Sequence, residues 1–227
     1  NGREMTVFNH DHGLPGNSVR DIEQDSSGTM YFATTGGITK FSGDSTIAIL
    51  WEGIAFQNIF IDSRDMRWFI SDDGIYQESN TGITRYLNAE HPTLPGVIYS
   101  ITEDPGSRNL LLASNEGVFM FDPVREQVSQ LSDIDCYSLY IDVNDSIWIS
   151  TRDGLTIAHL SDLIEDRRKT NFQNLNDRLH FPVNIISDIT TNRFGSIWLV
   201  TDSKIMQVIS TDQEPIIYEQ EIGIKNN

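Results

Sequence analysis

Residues 25–37 read DSSGTMYFATTGG, and four later segments repeat the same pattern. They are DSRDMRWFISDDG from Asp62, DPGSRNLLLASNEG from Asp104, DVNDSIWISTRDG from Asp142 and NRFGSIWLVTDSK from Asn192. Each copy holds a large apolar residue, then a hydroxyl three positions later. Four copies add a glycine three positions after that. The apolar sites are 37, 43, 37 and 50 residues apart, and this period of about 42 is typical of propellers and solenoids.

The residues that keep this register are predicted to be structural, because periodic apolar positions usually form a core. They are Tyr31, Trp68, Leu111, Trp148 and Trp198 at the apolar site, and Gly37, Gly74, Gly117 and Gly154 at the glycine site. The hydroxyl between them is expected to bond the backbone of the adjacent turn. The turn that opens each copy carries an Asp or Asn that can bond its own backbone.

Each copy contains four short β-rich stretches separated by turns, without helical periodicity. This pattern predicts an all-β fold, a β-propeller of four-stranded antiparallel blades. The predicted blades span 14–50, 51–88, 94–131, 132–175 and 182–220, with a helical insertion in the fourth beginning near Ser161. Residues 4–9 read as the last strand of a preceding blade and 223–227 as the start of a further one. The five repeats are therefore expected to be a slice of a larger propeller.

Composition disfavours several classes of function. Lys and Arg number 16 against 33 Asp and Glu, a net charge of −17, whereas a sequence-independent nucleic-acid binder needs positive charge. No apolar run approaches the roughly 20 residues that span a bilayer. The single cysteine, Cys136, lies in an apolar stretch and is expected to be an inert core residue. No nucleophile elbow of the G-x-S-x-G type occurs, so no catalysis is predicted for this segment.

Two sets of loops are expected to share one face of the propeller and to offer a ligand site there. The loops between blades carry His10, His12, Trp51, His91, Arg178 and His180, and the turns between second and third strands carry Asp72, Asp73, Glu116, Arg152, Asp153 and Asp202. Aromatic, charged and imidazole groups suit a sugar ligand. The alternative is that these residues are solvated loop positions, because loops are usually polar.

His10 and His12 could form half a metal site if the segment between them were extended. A metal site needs at least a third protein ligand, and none stands at a diagnostic spacing. No metal and no cofactor is therefore predicted.

Residues 13–38 resemble the two-component regulator propeller repeat, G-L-x-x-N-S-V-x-x-I-x-x-D-x-x-G-x-[LMI]-[WY]-x-x-[ST]-x-x-G-[IL], nearly throughout. Tyr31 stands at its aromatic site. Residues 142–155 fit the same pattern apart from Asp145 at the turn glycine, and the third copy departs most, with Leu111 and an inserted residue.

The resemblance implies more than the residues do. Members of this family use such propellers, commonly seven-bladed and paired, as periplasmic sensors of hybrid two-component histidine kinases, many of which respond to polysaccharide breakdown products. The implied partners are an oligosaccharide, the rest of the propeller, downstream sensor domains and a second copy in a homodimer. No nucleic acid is expected to bind this segment. The implied location is the periplasmic portion of an inner-membrane protein, attached to the membrane only through the parent chain.

Two other functions stay open. Streptogramin lyases share similar repeats, so the chain could be a propeller lyase or hydrolase, with histidines and acidic residues converging on a metal in the central channel. It could also be a structural propeller that only mediates protein–protein interaction.

Overall fold

The computed structural model describes residues 7–42, 46–79, 82–88, 96–165, 168, 170–176, 186–192, 195–201, 203–211 and 213–219. These residues form β-strands, one short α-helix and one 3-10 turn. The chain divides into two compact units, Asn1–Leu94 and Pro95–Asn227. Both units are built from four-stranded antiparallel sheets, which we call blades 1 to 5 in chain order.

Blades 1 and 2 form the first unit. Blade 1 contains β1 (Val19–Gln24), β2 (Met30–Thr34), β3 (Gly37–Ser42) and β4 (Thr46–Glu52). Blade 2 contains β5 (Phe56–Ile61), β6 (Arg67–Ser71), β7 (Gly74–Ser79) and β8 (Gly82–Asn88). The order of strands across each sheet is their order along the chain, so neighbouring strands within a blade are joined by hairpins.

Blades 3 to 5 form the second unit with the same strand order. Blade 3 contains β9 (Ile98–Glu103), β10 (Leu110–Ser114), β11 (Gly117–Asp122) and β12 (Gln127–Ser132). Blade 4 contains β13 (Cys136–Ile141), β14 (Ser146–Thr151), β15 (Gly154–His159), α1 (Leu160–Glu165) and β16 (Gln173–Asn174). Blade 5 contains β17 (Ile186–Thr191), β18 (Ile197–Thr201), β19 (Lys204–Val208) and β20 (Ile216–Glu219).

A buried carboxylate organises the turn between the first and second strands. Asp62 Oδ1 accepts hydrogen bonds from the backbone amides of Arg64 (2.9 Å) and Met66 (3.0 Å), while its Oδ2 accepts one from Trp68 Nε1 (3.2 Å). The same double contact, to turn amides and to the ring six residues on, joins Asp142 to Trp148 and Asp25 to Tyr31. The carboxylate therefore fixes the turn and orients the core aromatic residue together.

The hydroxyl predicted to bond the next turn does so in all five blades. In four blades its O–H donates to the backbone carbonyl three residues later, in the pairs Thr34–Gly37 (2.9 Å), Ser114–Gly117 (2.9 Å), Thr151–Gly154 (3.1 Å) and Thr201–Lys204 (3.2 Å). In blade 2 the Ser71 O–H donates to Asp73 Oδ1 (2.5 Å) of the same turn. In each blade the hydroxyl oxygen also accepts the backbone N–H two residues later, which closes the turn from both sides.

The glycine after this turn is required by the close approach of the fourth strand. A Cβ atom at Gly74 would stand 1.9 Å from the Leu87 carbonyl oxygen, and one at Gly117 would stand 2.0 Å from that of Ser132. Both glycines also have positive φ, 153° and 125°, where other residues are disfavoured.

Neighbouring blades pack face to face through apolar side chains. In the first unit, Tyr31 and Ile38 of blade 1 cluster with Phe56, Phe69 and Tyr76 of blade 2. In the second unit, one core joins blades 3 and 4 and another joins blades 4 and 5.

The α-helix lies where the sequence indicates an insertion, between β15 and β16. Leu160 and Leu163 bury its apolar side in the core shared by blades 3 and 4.

The predicted fold class is confirmed: apart from one short helix, the described residues form β-structure, in five four-stranded antiparallel blades of a β-propeller. Four of the five repeat positions, Tyr31, Trp68, Leu111 and Trp148, are buried, whereas Trp198 is half-buried and stacks on Tyr218. The blade boundaries stay a prediction. Residues 1–6 and 223–227 lie outside the described residues, and residues 7–9 belong to no strand.

Candidate functional site

Each blade carries a β-bulge near the start of its first strand, at the end of the sheet where the second strand turns into the third. In blade 3, Ile98 pairs with Ser114 and Ser100 with Ala113, so that Tyr99 is the extra residue. The bulged residues of the five blades are Arg20, Gln57, Tyr99, Tyr137 and Ser187. Bulges are frequent beside functional sites because they redirect a side chain.

Two of these bulged residues come together in the second unit. The first strands of its neighbouring blades contact one another, and the rings of Tyr99 and Tyr137 lie 5.4 Å apart between centroids with their planes 44° apart. Tyr99 is 36% exposed, whereas Ile98 beside it is 5% exposed. The bulge therefore turns an aromatic side chain away from the core and towards solvent.

Arg152 lies beside this pair, on the turn between β14 and β15. A hydrogen bond with the Tyr137 hydroxyl raises the pKa of the Arg152 guanidinium above its usual value and is the largest cause of that shift. The negative charges of Asp135 and Asp153 raise this pKa further. Asp135 Oδ1 is buried and, among the described residues, has no hydrogen-bond partner. The group thus combines two aromatic rings, one cation and two carboxylates.

A second cluster stands at the corresponding end of the first unit. The Trp51 ring, at the end of β4, lies 5.6 Å from the ring of Tyr76. Asp73 Oδ1 accepts hydrogen bonds from the hydroxyls of Tyr76 (2.9 Å) and Ser71 (2.5 Å), and Arg85 Nη2 lies 3.2 Å from Asp73 Oδ2. The structure therefore brings together two predicted site residues, Trp51 and Asp73, through Tyr76.

The electrostatics of this cluster suit binding rather than proton transfer. Burial alone would raise the pKa of Asp73, but the hydroxyls of Ser71 and Tyr76 and the charge of Arg85 outweigh it and lower that pKa. Burial, with Asp73 beside it, raises the pKa of Tyr76 to about 12. At neutral pH the carboxylate is thus held ionised and the phenol protonated, and neither is poised to exchange a proton.

His10 and His12 lie on a 3-10 turn, not on an extended segment. Both are exposed; the His10 amide donates to Asn17 Oδ1 (2.9 Å), and His12 Nδ1 lies 2.6 Å from Asn9 Oδ1. Over the residues that the structure describes, no group of three His, Cys, Asp or Glu side chains could hold a metal ion.

The remaining predicted residues are divided between exposed turns and parts of the chain not described. Asp72, Glu116, Arg152 and Asp153 are exposed on the turns between second and third strands. His91, Arg178, His180 and Asp202 lie outside the described residues.

Sequence reasoning missed Tyr76, Arg85, Tyr99 and Tyr137. The signal for the last two was available, because Ile98-Tyr99-Ser100 and Cys136-Tyr137-Ser138 place a tyrosine at the same step of the third and fourth repeats. The five bulged residues are not all apolar, so the repeat of buried apolar positions does not reveal them.

One segment of the chain matches a family model. Residues 13–36, from the loop before β1 to the turn after β2, match the model described as "Two component regulator propeller". Over these residues the chain is similar to a two-component regulator propeller repeat. No curated protein matches the chain.

Solved structures resemble the chain far beyond this repeat. One is the extracellular domain of a protein described as a hybrid two-component system, BT3049 from B. thetaiotaomicron. The alignment covers 95% of the chain and 30% of the BT3049 domain, with 20% identity and a TM-score of 0.73. Another is the extracellular domain of BT4673 from the same organism. The alignment covers 83% of the chain and 26% of the BT4673 domain, with 17% identity and a TM-score of 0.68. The chain therefore spans less than a third of the length of these domains.

Another similar structure belongs to an enzyme. It is a catalytically inactive variant of virginiamycin B lyase from Staphylococcus aureus, solved with quinupristin. The alignment covers 89% of the chain and 70% of the lyase, with 14% identity and a TM-score of 0.67. At these identities the likeness establishes the propeller fold. Among the described residues of the propeller chain, no helix is long and apolar enough to cross a membrane.

Proposed function

We propose that the chain is part of the sensory β-propeller of a hybrid two-component system, exposed in the periplasm, which responds to an oligosaccharide derived from a polysaccharide. The observation that carries this proposal is the propeller repeat at residues 13–36, within a fold that matches the BT3049 extracellular domain over 95% of the chain. The parent protein would be a histidine kinase whose phosphorelay the propeller controls.

The site chemistry supports recognition in preference to catalysis. Asp73 and Tyr76 are held in fixed protonation states at neutral pH, and the rings of the exposed Tyr99 and the half-buried Tyr137 offer surface for a ligand. A sensor changes its signalling only if the ligand has different affinities for two arrangements of the protein. The partners proposed for such a rearrangement are the rest of the propeller, the downstream sensor domains and a second copy in a homodimer. Nucleic acid is not among them, since the chain has a net charge of −17.

Calorimetry tests the ligand response. The chain, and the intact protein that contains it, are titrated with defined oligosaccharides and with quinupristin, and each mixture is analysed for turnover. Binding of a saccharide without turnover is the expected result. Turnover of quinupristin would favour a lyase, and neither binding nor turnover would favour a propeller that only mediates protein interaction.

A fusion experiment tests the location. Alkaline phosphatase joined after the propeller in the intact gene folds into an active enzyme only if it is exported. Activity in whole cells is expected, and an inactive but stable fusion would contradict a periplasmic location.

A further inference from the structure

We propose that the rings of Tyr99 and Tyr137 form a platform that binds the apolar face of an uncharged pyranose, with Arg152 at its rim donating hydrogen bonds to sugar hydroxyls. This inference rests on the proposed oligosaccharide response and adds the residues and the chemical class of the ligand.

The position of the two rings is the first argument. Both tyrosines are the extra residues of bulges on first strands, β9 and β13, which contact each other within the second unit. Their centroids lie 5.4 Å apart with the planes 44° apart, so the rings form one continuous but angled aromatic surface. The C–H groups on one face of a pyranose chair are apolar and pack on such a surface.

The restriction of aromatic residues to two blades is the second argument. The bulged residues of blades 1, 2 and 5 are Arg20, Gln57 and Ser187, none of which carries a ring. The bulge therefore does not require a tyrosine. The residues that are buried in the core at this step are the preceding ones, Ile98 and Cys136, and not the two tyrosines. Tyr99 is 36% exposed and Tyr137 is half-buried, so part of an aromatic pair that the fold does not require is open to a ligand.

The charges around the platform indicate an uncharged ligand. Arg152 interacts with the carboxylates of both Asp135 and Asp153, so the positive charge at the rim is already opposed by two negative ones. The chain as a whole has a net charge of −17, which repels anions at longer range. A uronate or sulfated sugar would meet like charge at this site, whereas a neutral sugar would not.

The test compares uncharged and acidic probes on the same protein. The chain is titrated calorimetrically with cellohexaose, mannohexaose and xylohexaose, then with tetragalacturonate and a heparin tetrasaccharide. We expect binding of at least one uncharged probe and none of the acidic ones. Binding of acidic probes alone would overturn the uncharged class, and binding of no probe at all would count against the proposed function itself.

Variants then locate the site. Tyr99→Ala and Tyr137→Ala are each expected to weaken binding of the uncharged probe about tenfold or more, because stacking on the ring is lost. Gln57→Ala, at the same bulge of blade 2, is the control and should leave the affinity unchanged. Native affinity in both alanine variants would overturn the platform while leaving the oligosaccharide response intact.

A measurement on the native protein removes any dependence on the folding of the variants. Saturating the tyrosine ring protons in an NMR saturation-transfer experiment should transfer magnetisation to the axial ring protons of the bound sugar. Transfer from aliphatic side chains alone would contradict the platform.

Discussion

The buried carboxylate of Asp62 links a surface turn to the core at the scale of a single residue. Its side chain is fully buried. The carboxylate accepts hydrogen bonds from two backbone amides and from the Trp68 indole, and it forms an ion pair with the Arg64 guanidinium (2.9 Å). Burial alone would raise the pKa of Asp62, but the hydrogen bonds from Met66, Arg64 and Trp68 outweigh it and lower that pKa below its ordinary 3.8. The ionised form is therefore stabilised by folding.

This residue predicts an acid-sensitive stability. Because the pKa of Asp62 is lower in the folded chain than in the unfolded one, its contribution is present above about pH 5 and is lost as the pH falls through 3.8 and below. Asp62→Asn should lower the free energy of unfolding at pH 7 by roughly 1–3 kcal/mol and flatten its fall between pH 5 and pH 3. Urea unfolding at a series of pH values measures both effects.

The control is Asp72→Asn, which removes a carboxylate from an exposed turn of the same blade. We expect it to change the free energy of unfolding by less than about 0.5 kcal/mol. An Asp62→Asn variant that keeps the pH dependence of the native chain would show that the turn does not depend on this carboxylate.

Cys136 gives a second prediction at this scale. Burial in the core shared by blades 3 and 4 raises the pKa of its thiol to about 12 from an ordinary 9.0. Since only the thiolate reacts, the native thiol should react with Ellman's reagent about a thousandfold more slowly than the thiol of the unfolded chain. Stopped-flow absorbance with and without 6 M urea checks this, and equal rates would contradict the buried position.

At the scale of the element, a hydroxyl group closes each turn between the second and third strands. In four blades the turn is followed by a glycine that lets the fourth strand approach. Gly74→Ala should be strongly destabilising, because the new Cβ would stand 1.9 Å from the Leu87 carbonyl oxygen, which is backbone and cannot move aside easily. We expect a loss of about 2–4 kcal/mol, from steric overlap added to the strain of positive φ. Thermal and urea denaturation measure it.

Gly82→Ala separates the two causes. Gly82 opens the next strand of the same blade with a φ of 121°, but no atom of the described residues lies within 4 Å of a Cβ built there. Its substitution should cost about 1–2 kcal/mol from backbone strain alone. If Gly74→Ala costs no more than Gly82→Ala, the approach of β8 does not require the glycine.

The elements that sequence predicted and those it missed differ in how they are encoded. Tyr31, Trp68 and Trp148 stand at the same position of their repeats because each blade packs a buried face against a neighbouring blade, and that repetition is visible in one sequence. The bulged position is fixed by backbone pairing, not by side-chain chemistry, so its occupant varies from Arg20 to Tyr99. A core period cannot reveal it.

The candidate site was predicted less completely than the fold. Trp51 and Asp73 were predicted from their loops, and the structure joins them through Tyr76, a residue of β7 that lies in no predicted loop. Contacts of this kind depend on how two neighbouring blades pack, and no local sequence pattern records that packing.

At the scale of the whole molecule, equivalent positions on the first strands differ in burial. Ile59, Leu139 and Ile189, the fourth residues of β5, β13 and β17, are each 5% exposed or less, whereas Ile22, the fourth residue of β1, is 48% exposed. Ile59 packs against blade 1, and Ile189 lies in the core shared with blade 4. Ile22 is thus more exposed than its counterparts on these three strands.

This asymmetry predicts that one substitution has two different outcomes at equivalent positions. Ile59→Ala should lower the free energy of unfolding by about 2–4 kcal/mol, because it leaves a cavity between blades 1 and 2. Ile22→Ala should lower it by less than about 1 kcal/mol and should reduce self-association, because an exposed apolar patch favours aggregation. Urea unfolding gives the stabilities, and light scattering against concentration gives the association. If the two alanine variants lost equal stability, Ile22 would be covered in solution, and the covering surface would have to come from outside the described residues.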